Sequence, residues 1–527
     1  MKEGWQRTSE IRVQQDHLEK TRRWPGKRSC CRDGNSRRRV RCPPMRGLAL
    51  ALLLFAGLAR AETELPPPSA EEGAAFPALP PDDGFSPRYG IESIEVRGNS
   101  KTKTAVILRE LLVKPGDVVT ANDPRVELSR LQLLALGYFL DARLSLEKGD
   151  TRGKARLRVD VEERGTLVLE DLFLGTSQAT TAWGGGTVAE RNLLGRGISL
   201  GGGVVGSTRP DVDGAVAGFG STLRLAGPPA FLPGRLSLQG SLVASRGSEF
   251  FRATGNDDSA RPGDFVSVTT RRLGGSLGVG RGLSRNLYLL GEARMEFLRA
   301  TFPGTRLRLL DQGALEPIPF SIREGSSHLG SVTLGIDWDT RTDPVLPRSG
   351  HHVSLSVELS GLASDYTFVK GTAALASYFP LKSGHIVGLH GFLGGMRGDA
   401  PYFDRFFVGD VDMLLPRRAL GLNFSTQPAH DFLGTGSSSH RFDDLAARAL
   451  VEYAIPIWKR HGFVYRGDAF AAVGVYALCN PKDLTRDDLA FRRALAMDLT
   501  ADLGLRLDTA VGIFTLSVGN FIGRISY

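Results

Sequence analysis

The stretch that decides the fold class reads Gly350-His351-His352-Val353-Ser354-Leu355-Ser356-Val357-Glu358-Leu359-Ser360. From Val353 onward, apolar and polar residues alternate at every second position. Successive side chains of a β-strand point to opposite faces, so this stretch predicts a strand with one apolar and one polar face. The segment from Leu499 to Asp508 repeats the pattern. A soluble β-sandwich and a transmembrane β-barrel both show such alternation.

Length and composition favour the barrel. The chain has 527 residues, of which 41% are hydrophobic, and 4 cysteines, which excludes a disordered chain and a disulfide scaffold. No apolar run reaches the ~18 residues that a spanning helix needs. Glycine-rich alternating segments fill residues 165–527, more than a sandwich needs. Because a strand crosses a bilayer in ~9–11 residues and bacterial barrels use even strand numbers, we expect about 16 strands, with 14 as the alternative.

The N-terminal region has the features of an export signal. Within residues 45–61, Arg46 supplies a positive start, Gly47–Ala59 is apolar, and Ala59-Arg60-Ala61 is a small-x-small cleavage site. Met45 is therefore the expected true start, and residues 1–44 are expected to be a mispredicted extension or a long leader. The alternative is a basic arm that binds nucleic acid.

Removal of residues 1–61 changes the charge of the chain. These residues hold 15 of the 66 basic and 5 of the 57 acidic side chains, so the chain from Glu62 carries 51 and 52, a net charge of −1. Cys30, Cys31 and Cys42 are also removed, which leaves Cys479 alone and predicts no intrachain disulfide. The sequence therefore gives no indication of a nucleic-acid partner.

Residues 62–88 are proline-rich and predict an extended linker. Residues 89–164 then predict a small α/β module in the order β-α-α-β-β. Its first strand ends at Gly98-Asn99, and its second helix is capped by Asp123 with Pro124 at the first helical position. This order, with Gly137-Tyr138-Phe139 and the closing Val159–Glu163 strand, resembles a POTRA domain.

A second set of motifs resembles one membrane-protein family. Asp339, Arg341, Pro347 and Gly350 form the pattern D-x-R-x5-P-x-x-G between two alternating strands. This pattern is similar to that of the outer-membrane assembly factor superfamily, the BamA/TamA surface antigen group, and the resemblance implies a periplasmic hairpin here. The segments that agree with it are Glu190–Gly197, Val451–Ile457, Tyr378–Leu381 and the C-terminal strand signal Phe521, Ile525 and Tyr527. Near Asn520 the alternation changes phase, which predicts a bulge or an earlier strand end.

The resemblance also implies a functional loop. We expect residues 399–441 to form a long loop that enters the lumen, because the family carries a Val/Leu-Arg-Gly-Phe/Tyr tetrad there. The best match is the degenerate motif Arg417, Arg418, Ala419 and Leu420. The family pairs this arginine with acids on nearby strands. Glu452 matches the first acid, and Asp468 is the candidate substitute for the second; we expect at least one such pair.

Three signals of other chemistry are rejected. Gly274–Gly278 matches G-x-S-x-G around Ser276, and Gly201–Gly206 matches G-x-G-x-x-G, but no helix follows either one. His351-His352 begins a strand and is not expected to bind metal. We expect no catalytic residue and no cofactor.

The resemblance implies a role in assembly or translocation. A first strand (about Thr166–Leu174) and a last strand (about Gly512–Tyr527) that pair weakly would open a seam and template client strands. The predicted fold class is thus an all-β outer-membrane barrel behind one periplasmic POTRA domain. The expected partners are membrane lipid, unfolded barrel or secreted clients, and a periplasmic protein. Because only one POTRA match is found, a dedicated accessory member or translocator is favoured. A passive porin and a barrel-embedded hydrolase are the alternatives.

Overall fold

The computed structural model describes residues 87–228, 236–254, 260–284, 286–310, 313–342, 346–411, 418–427, 441–459, 462–481 and 497–519. The predicted leader and signal peptide, nearly all of the linker, Arg417 and the C-terminal signal Phe521, Ile525 and Tyr527 lie outside these residues. Within them, no helix has the length and apolar character needed to cross a membrane.

The N-terminal module contains a four-stranded sheet and two helices. The first and fourth strands are parallel neighbours in the middle of the sheet, and the second and third strands lie at its two edges. Ile107, Leu133 and Leu157 are fully buried between the helices and the sheet. A short strand between the two helices is the one element of this module that the prediction omitted. The elements are β1 (Arg88–Arg97), α1 (Thr104–Glu110), β2 (Val118–Thr120), α2 (Pro124–Ala135), β3 (Phe139–Lys148) and β4 (Lys154–Glu163).

The rest of the described chain forms a nearly closed antiparallel barrel, which confirms the predicted fold class. Its sheet contains fifteen strands over the described residues, where we expected about sixteen. They are β5 (Leu167–Gly175), β6 (Trp183–Leu193), β7 (Ile198–Ser207), β8 (Phe219–Gly227), β9 (Leu236–Arg252), β10 (Phe265–Gly282), β11 (Leu287–Thr301), β14 (Gly325–Asp339), β15 (Gly350–Ser360), β16 (Thr367–Pro380), β17 (Ile386–Asp399), β20 (Leu445–Lys459), β21 (Val464–Cys479), β22 (Met497–Thr509) and β23 (Gly512–Gly519).

The smaller elements lie between barrel strands. They are the hairpin β12 (Leu307–Leu309) and β13 (Leu315–Pro317), the pair β18 (Phe406–Phe407) and β19 (Phe442–Asp443), the helix α3 (Val408–Val411), and three 3-10 turns at Pro262–Asp264, Lys382–Gly384 and Tyr402–Asp404. The rejected glycine motifs lie inside β7 and β10, as expected for strands.

The exposure of the strands excludes a soluble sandwich. Leu355, Val357 and Leu359 on β15 are 44–50% exposed and lie on the outer face, whereas Glu358 between them faces the interior. Leu334 and Leu503, on other strands, are more than 60% exposed. An apolar exterior and a polar interior reverse the usual soluble pattern and match a wall in contact with lipid.

The barrel has two distinguishable ends. We call the end that contacts the N-terminal module the proximal end, and the other the distal end. β5 starts at the proximal end, and each strand is antiparallel to the next, so β23 also runs from proximal to distal. The turn between β14 and β15 is therefore proximal, and the segment between β17 and β20 is distal.

Candidate functional site

The distal segment after β17 folds into the barrel. We call its described residues, 400–411 and 418–427, the lumenal loop. Its aromatic side chains Tyr402, Phe403, Phe406 and Phe407 are at most 8% exposed. They pack against inward-facing residues from several strands, namely Leu298, Leu329, Phe368, Tyr476 and Leu478. The described part of the loop therefore forms an apolar plug in the distal half of the barrel.

A buried ion network ties this loop to the wall. Arg294 on β11 contacts both carboxylate oxygens of Asp404, at 3.0 and 2.9 Å, and Glu358 at 2.8 Å. The Asp404 side chain is only 8% exposed. Lys370 on β16 donates to the backbone carbonyl of Asp404 at 2.7 Å. Bidentate Arg–carboxylate contacts fix orientation as well as charge, so Asp404 is the main polar anchor of the loop.

Arg418 lies in this loop but does not pair as expected. Its Nε donates to Asp410 at 2.9 Å, its Nη1 donates to the Phe403 carbonyl at 3.0 Å, and its guanidinium lies 5.1 Å from the Phe407 ring centroid. Arg418 thus stabilises the loop from within. Ala419 is buried, and Leu420 has a φ of 48°, which places the motif in a tight turn.

The predicted acids both lie in the interior, but Glu452 has another partner. Arg506 on β22 donates to its two carboxylate oxygens at 3.1 and 2.9 Å. Asp468 on β21 is opposite Arg506 in the strand register and is 5% exposed. The expected pairing of Arg418 with Glu452 is therefore wrong.

The position of the loop explains this difference. Arg448 donates to the Val411 carbonyl at 3.2 Å, and Glu452 lies four residues further along β20. At ~3.3 Å per residue, that separation is roughly 13 Å toward the proximal end. The described loop stays distal, and Arg506 on β22, across the intervening strand β21, neutralises Glu452 instead. Any functional role of Arg417, Arg418, Glu452 and Asp468 stays a prediction.

The hairpin motif forms a self-contained proximal turn. Arg341 donates to Asp339 from Nε and Nη2 at 2.9 and 2.6 Å, and its own backbone N–H donates to Asp339 at 2.9 Å. Gly350 has a φ of 101°, and a Cβ there would lie 2.5 Å from the Thr340 carbonyl oxygen. Pro347 is buried beside this turn. These contacts stabilise the conformation of the turn between β14 and β15.

The first and last described barrel strands meet at a seam. Leu169 on β5 donates its backbone N–H to the carbonyl of Val511, in the β22–β23 turn, at 2.7 Å. No ladder between β5 and β23 is present over the described residues. The two strands run in the same direction, so any ladder between them would be parallel, whereas the other neighbouring strands of the barrel pair antiparallel. The seam is the weakest part of the described wall.

Sequence reasoning missed the residues that hold these parts together. Arg294 and Arg506 lie at inward-facing positions of strands with apolar–polar alternation. This position is the only sequence feature that could have identified them. Their partners are 110 and 54 residues away in sequence. Among the described residues, no three His, Cys, Asp or Glu side chains are grouped as metal ligands.

Comparisons with known proteins agree with this architecture. The Omp85 superfamily domain matches residues 192–525, and the POTRA family (surface antigen variable number repeat) matches residues 89–164. The outer membrane protein assembly factor BamA of Nitratidesulfovibrio vulgaris is 26% identical over 62% of this chain and 37% of its own length. BamA of Neorickettsia risticii is 25% identical over 64% of this chain and 43% of its own length.

One solved structure is also similar to part of this chain. The crystal structure of BamA from Haemophilus ducreyi lacking POTRA domains 1–3 covers 82% of this chain and 81% of its own, with 14% identity and a TM-score of 0.46. This chain spans less than half the length of the curated BamA relatives described above. The match to the superfamily domain extends over more than half of the chain, and the chain belongs to the Omp85 superfamily.

Proposed function

We propose that this protein lies in the bacterial outer membrane, with its POTRA domain in the periplasm, and assists the insertion of β-strands or the secretion of client proteins. The observation that carries the proposal is the seam between β5 and β23. Backbone N–H and C=O groups in lipid must be paired, so an unpaired barrel edge favours the addition of a strand. A client strand supplies the missing hydrogen bonds by β-augmentation.

The interior of the barrel supports a role in strand insertion or secretion over that of a passive porin. The lumenal loop places four aromatic side chains across the distal half and anchors them through Asp404. A permanently open aqueous channel needs a polar, unobstructed lumen. The proposed activity therefore uses the wall of the barrel, and no covalent chemistry or cofactor is part of it.

The POTRA domain offers a second edge. Strand β3 lies at the border of its sheet, with β4 as its partner on one side. An exposed edge strand is a template for an extended peptide. We propose that this edge guides unfolded clients or a periplasmic partner toward the barrel. Membrane lipid and unfolded client chains are the proposed partners, and nucleic acid is not.

Site-specific photocrosslinking tests the proposal. A photoreactive amino acid is placed at Leu172 on β5 or Leu516 on β23, which are 64% and 72% exposed, and at Leu334 on β14 as a control of similar exposure (61%). We expect crosslinks to an unfolded barrel client from the two seam positions and none from the control position. Equal crosslinking from the control position contradicts a specific seam. Crosslinks of a secreted client only to the lumenal loop would instead support translocation through the lumen.

A further inference from the structure

A buried carboxylate connects three parts of the chain at the proximal base of the seam. Asp508, near the end of β22, is 1% exposed. Arg164 contacts one of its oxygens at 2.8 Å, and Arg466 contacts the other at 2.9 Å. Each guanidinium thus has its own carboxylate oxygen. A carboxylate shared by two arginines in a buried position holds both elements in a fixed arrangement.

The partners of Asp508 come from separate elements. Arg164 is the last residue of the POTRA domain, just before β5, and Arg466 lies on β21. The Arg164 backbone N–H donates to the Tyr138 carbonyl in the POTRA domain at 2.9 Å, and its guanidinium lies 5.1 Å from the Tyr465 ring centroid. Arg164 therefore contacts the POTRA domain through its backbone and the last barrel strands through its side chain.

Two glycines allow the backbones to approach closely at the same place. A Cβ on Gly165 would lie 2.6 Å from the Ala510 carbonyl oxygen. Gly512 has a φ of 135°, and a Cβ there would lie 2.5 Å from the Leu169 carbonyl oxygen. Any larger residue at either position would separate β5 from the β22–β23 turn. This close contact is independent of the ion pairs.

The POTRA domain is also attached to the first proximal turn of the barrel. The Lys103 backbone N–H donates to the Gly195 carbonyl at 2.9 Å, and Asn192 donates to Thr102 at 2.9 Å. Glu163, next to Arg164, accepts hydrogen bonds from the backbone N–H groups of Lys101 and Thr102. The domain therefore contacts both sides of the seam, β6–β7 on one and β22–β23 on the other.

We propose that Arg164, Arg466 and Asp508 form a clamp that pins the proximal end of the seam and couples it to the POTRA domain, so that opening starts at the distal end. The inference rests on the proposed function of the seam. No backbone hydrogen bond joins β5 to β23 distal to the Leu169–Val511 contact in the described residues. The three clamp residues act as positioning residues, because they hold in place the strands that a client would contact.

Spin-label distance measurements in lipid nanodiscs test this clamp. The full chain carries serine at its native cysteines and one of two label pairs, Leu169→Cys with Val511→Cys at the base or Leu174→Cys with Leu516→Cys toward the distal end. The unmodified clamp predicts a narrow distance distribution at the base and a broad one at the distal pair. Asp508→Asn is expected to broaden the base pair to the width of the distal pair, because Arg164 and Arg466 then lose the charged carboxylate that they share.

Two further variants serve as a control outside the clamp and as a milder change within it. Glu324→Gln removes an exposed ion pair with Arg306 far from the seam and is expected to leave both distributions unchanged. Arg164→Lys keeps the charge but loses the planar guanidinium, and its base pair is expected to broaden less than that of Asp508→Asn. Heat-modifiable migration in gels identifies folded barrels, and if Asp508→Asn does not fold, Arg164→Lys alone decides.

Folded clamp variants with an unchanged, narrow base distribution overturn the clamp. Equal broadening of the base and distal pairs also overturns it, since that result indicates a general loss of structure. Failure of the photocrosslinking experiment with a base pair that still responds to Asp508→Asn would refute the proposed function and leave the clamp intact. The two failures are therefore distinguishable.

Discussion

Replacement of Arg294 by methionine is expected to loosen the lumenal loop without expelling it. The Arg294 guanidinium lies 2.9 Å from Asp404 and 2.8 Å from Glu358, and these carboxylate side chains are only 8% and 15% exposed. Methionine keeps an apolar stem but leaves the two carboxylates without this cation. Removal of one partner from a buried ion pair costs about 3–5 kcal/mol.

The apolar contacts of the loop oppose its release. Four aromatic side chains are buried in the plug, and each contributes about 1.5–3 kcal/mol, or roughly 6–12 kcal/mol together as an upper bound. This total exceeds the ionic loss, so the loop stays inserted. Local opening around Asp404, however, becomes easier by about 10²-fold to about 4 × 10³-fold, because every 1.4 kcal/mol is about a factor of ten.

Amide hydrogen exchange of residues 400–411 in nanodiscs measures this opening. Arg294→Met is expected to accelerate exchange there and to leave the strands β14 and β15 unchanged. Asp404→Asn is the matched control, because Arg294 then keeps its contact with Glu358 and only one charged partner is lost. A smaller acceleration is therefore expected. Unchanged exchange in Arg294→Met, or a larger effect of Asp404→Asn, would refute the anchor.

Three further outcomes follow from the geometry. Gly350→Ala is expected to lower the yield of folded barrel in a heat-modifiability gel, since strain at its positive φ costs roughly 1–3 kcal/mol, whereas Gly371→Ala, which meets no atom closer than 4.0 Å, is expected to have little effect. Burial by itself raises the pKa of Glu163, but hydrogen bonds from neighbouring hydroxyl and backbone N–H groups outweigh it and lower the pKa to about 2. The stabilisation is thus complete above the ordinary pKa of about 4.5 and is lost as the pH falls toward about 2; Glu163→Gln should remove this acid sensitivity from the thermal unfolding of the helical circular dichroism signal. Arg418→Ala is expected to accelerate exchange in the loop less than Arg294→Met, because its partner Asp410 is 41% exposed and the pair is screened by solvent.

The parts of the structure that depend on local sequence were predictable. Alternation identified the strands, and the turn at Asp339 and Arg341 uses partners two residues apart. Asp123 caps its helix as expected, accepting from the Arg125 backbone N–H at 2.9 Å. In each case the interacting groups are separated by a few residues, so spacing alone determines whether they can meet.

The long-range contacts were not predictable. Arg294 and Asp404 meet across 110 residues, and Arg164 and Asp508 across 344. Whether two inward-facing side chains touch depends on the relative register of several strands and on the depth of the loop, and alternation fixes neither. For this reason the family resemblance pairs Arg418 with Glu452, although Arg506 on β22 neutralises that acid.

Locking the seam with a cleavable bis-maleimide tests whether the seam between β5 and β23 must open for client insertion. The crosslinker joins Leu174→Cys on β5 to Leu516→Cys on β23, and a control joins the register partners Leu334→Cys and Val357→Cys in the continuous wall. We predict that the seam crosslink stops the insertion of an unfolded barrel client into vesicles, that cleavage restores it, and that the control has no effect. Undiminished insertion with the seam quantitatively locked would show that client strands do not enter through the seam.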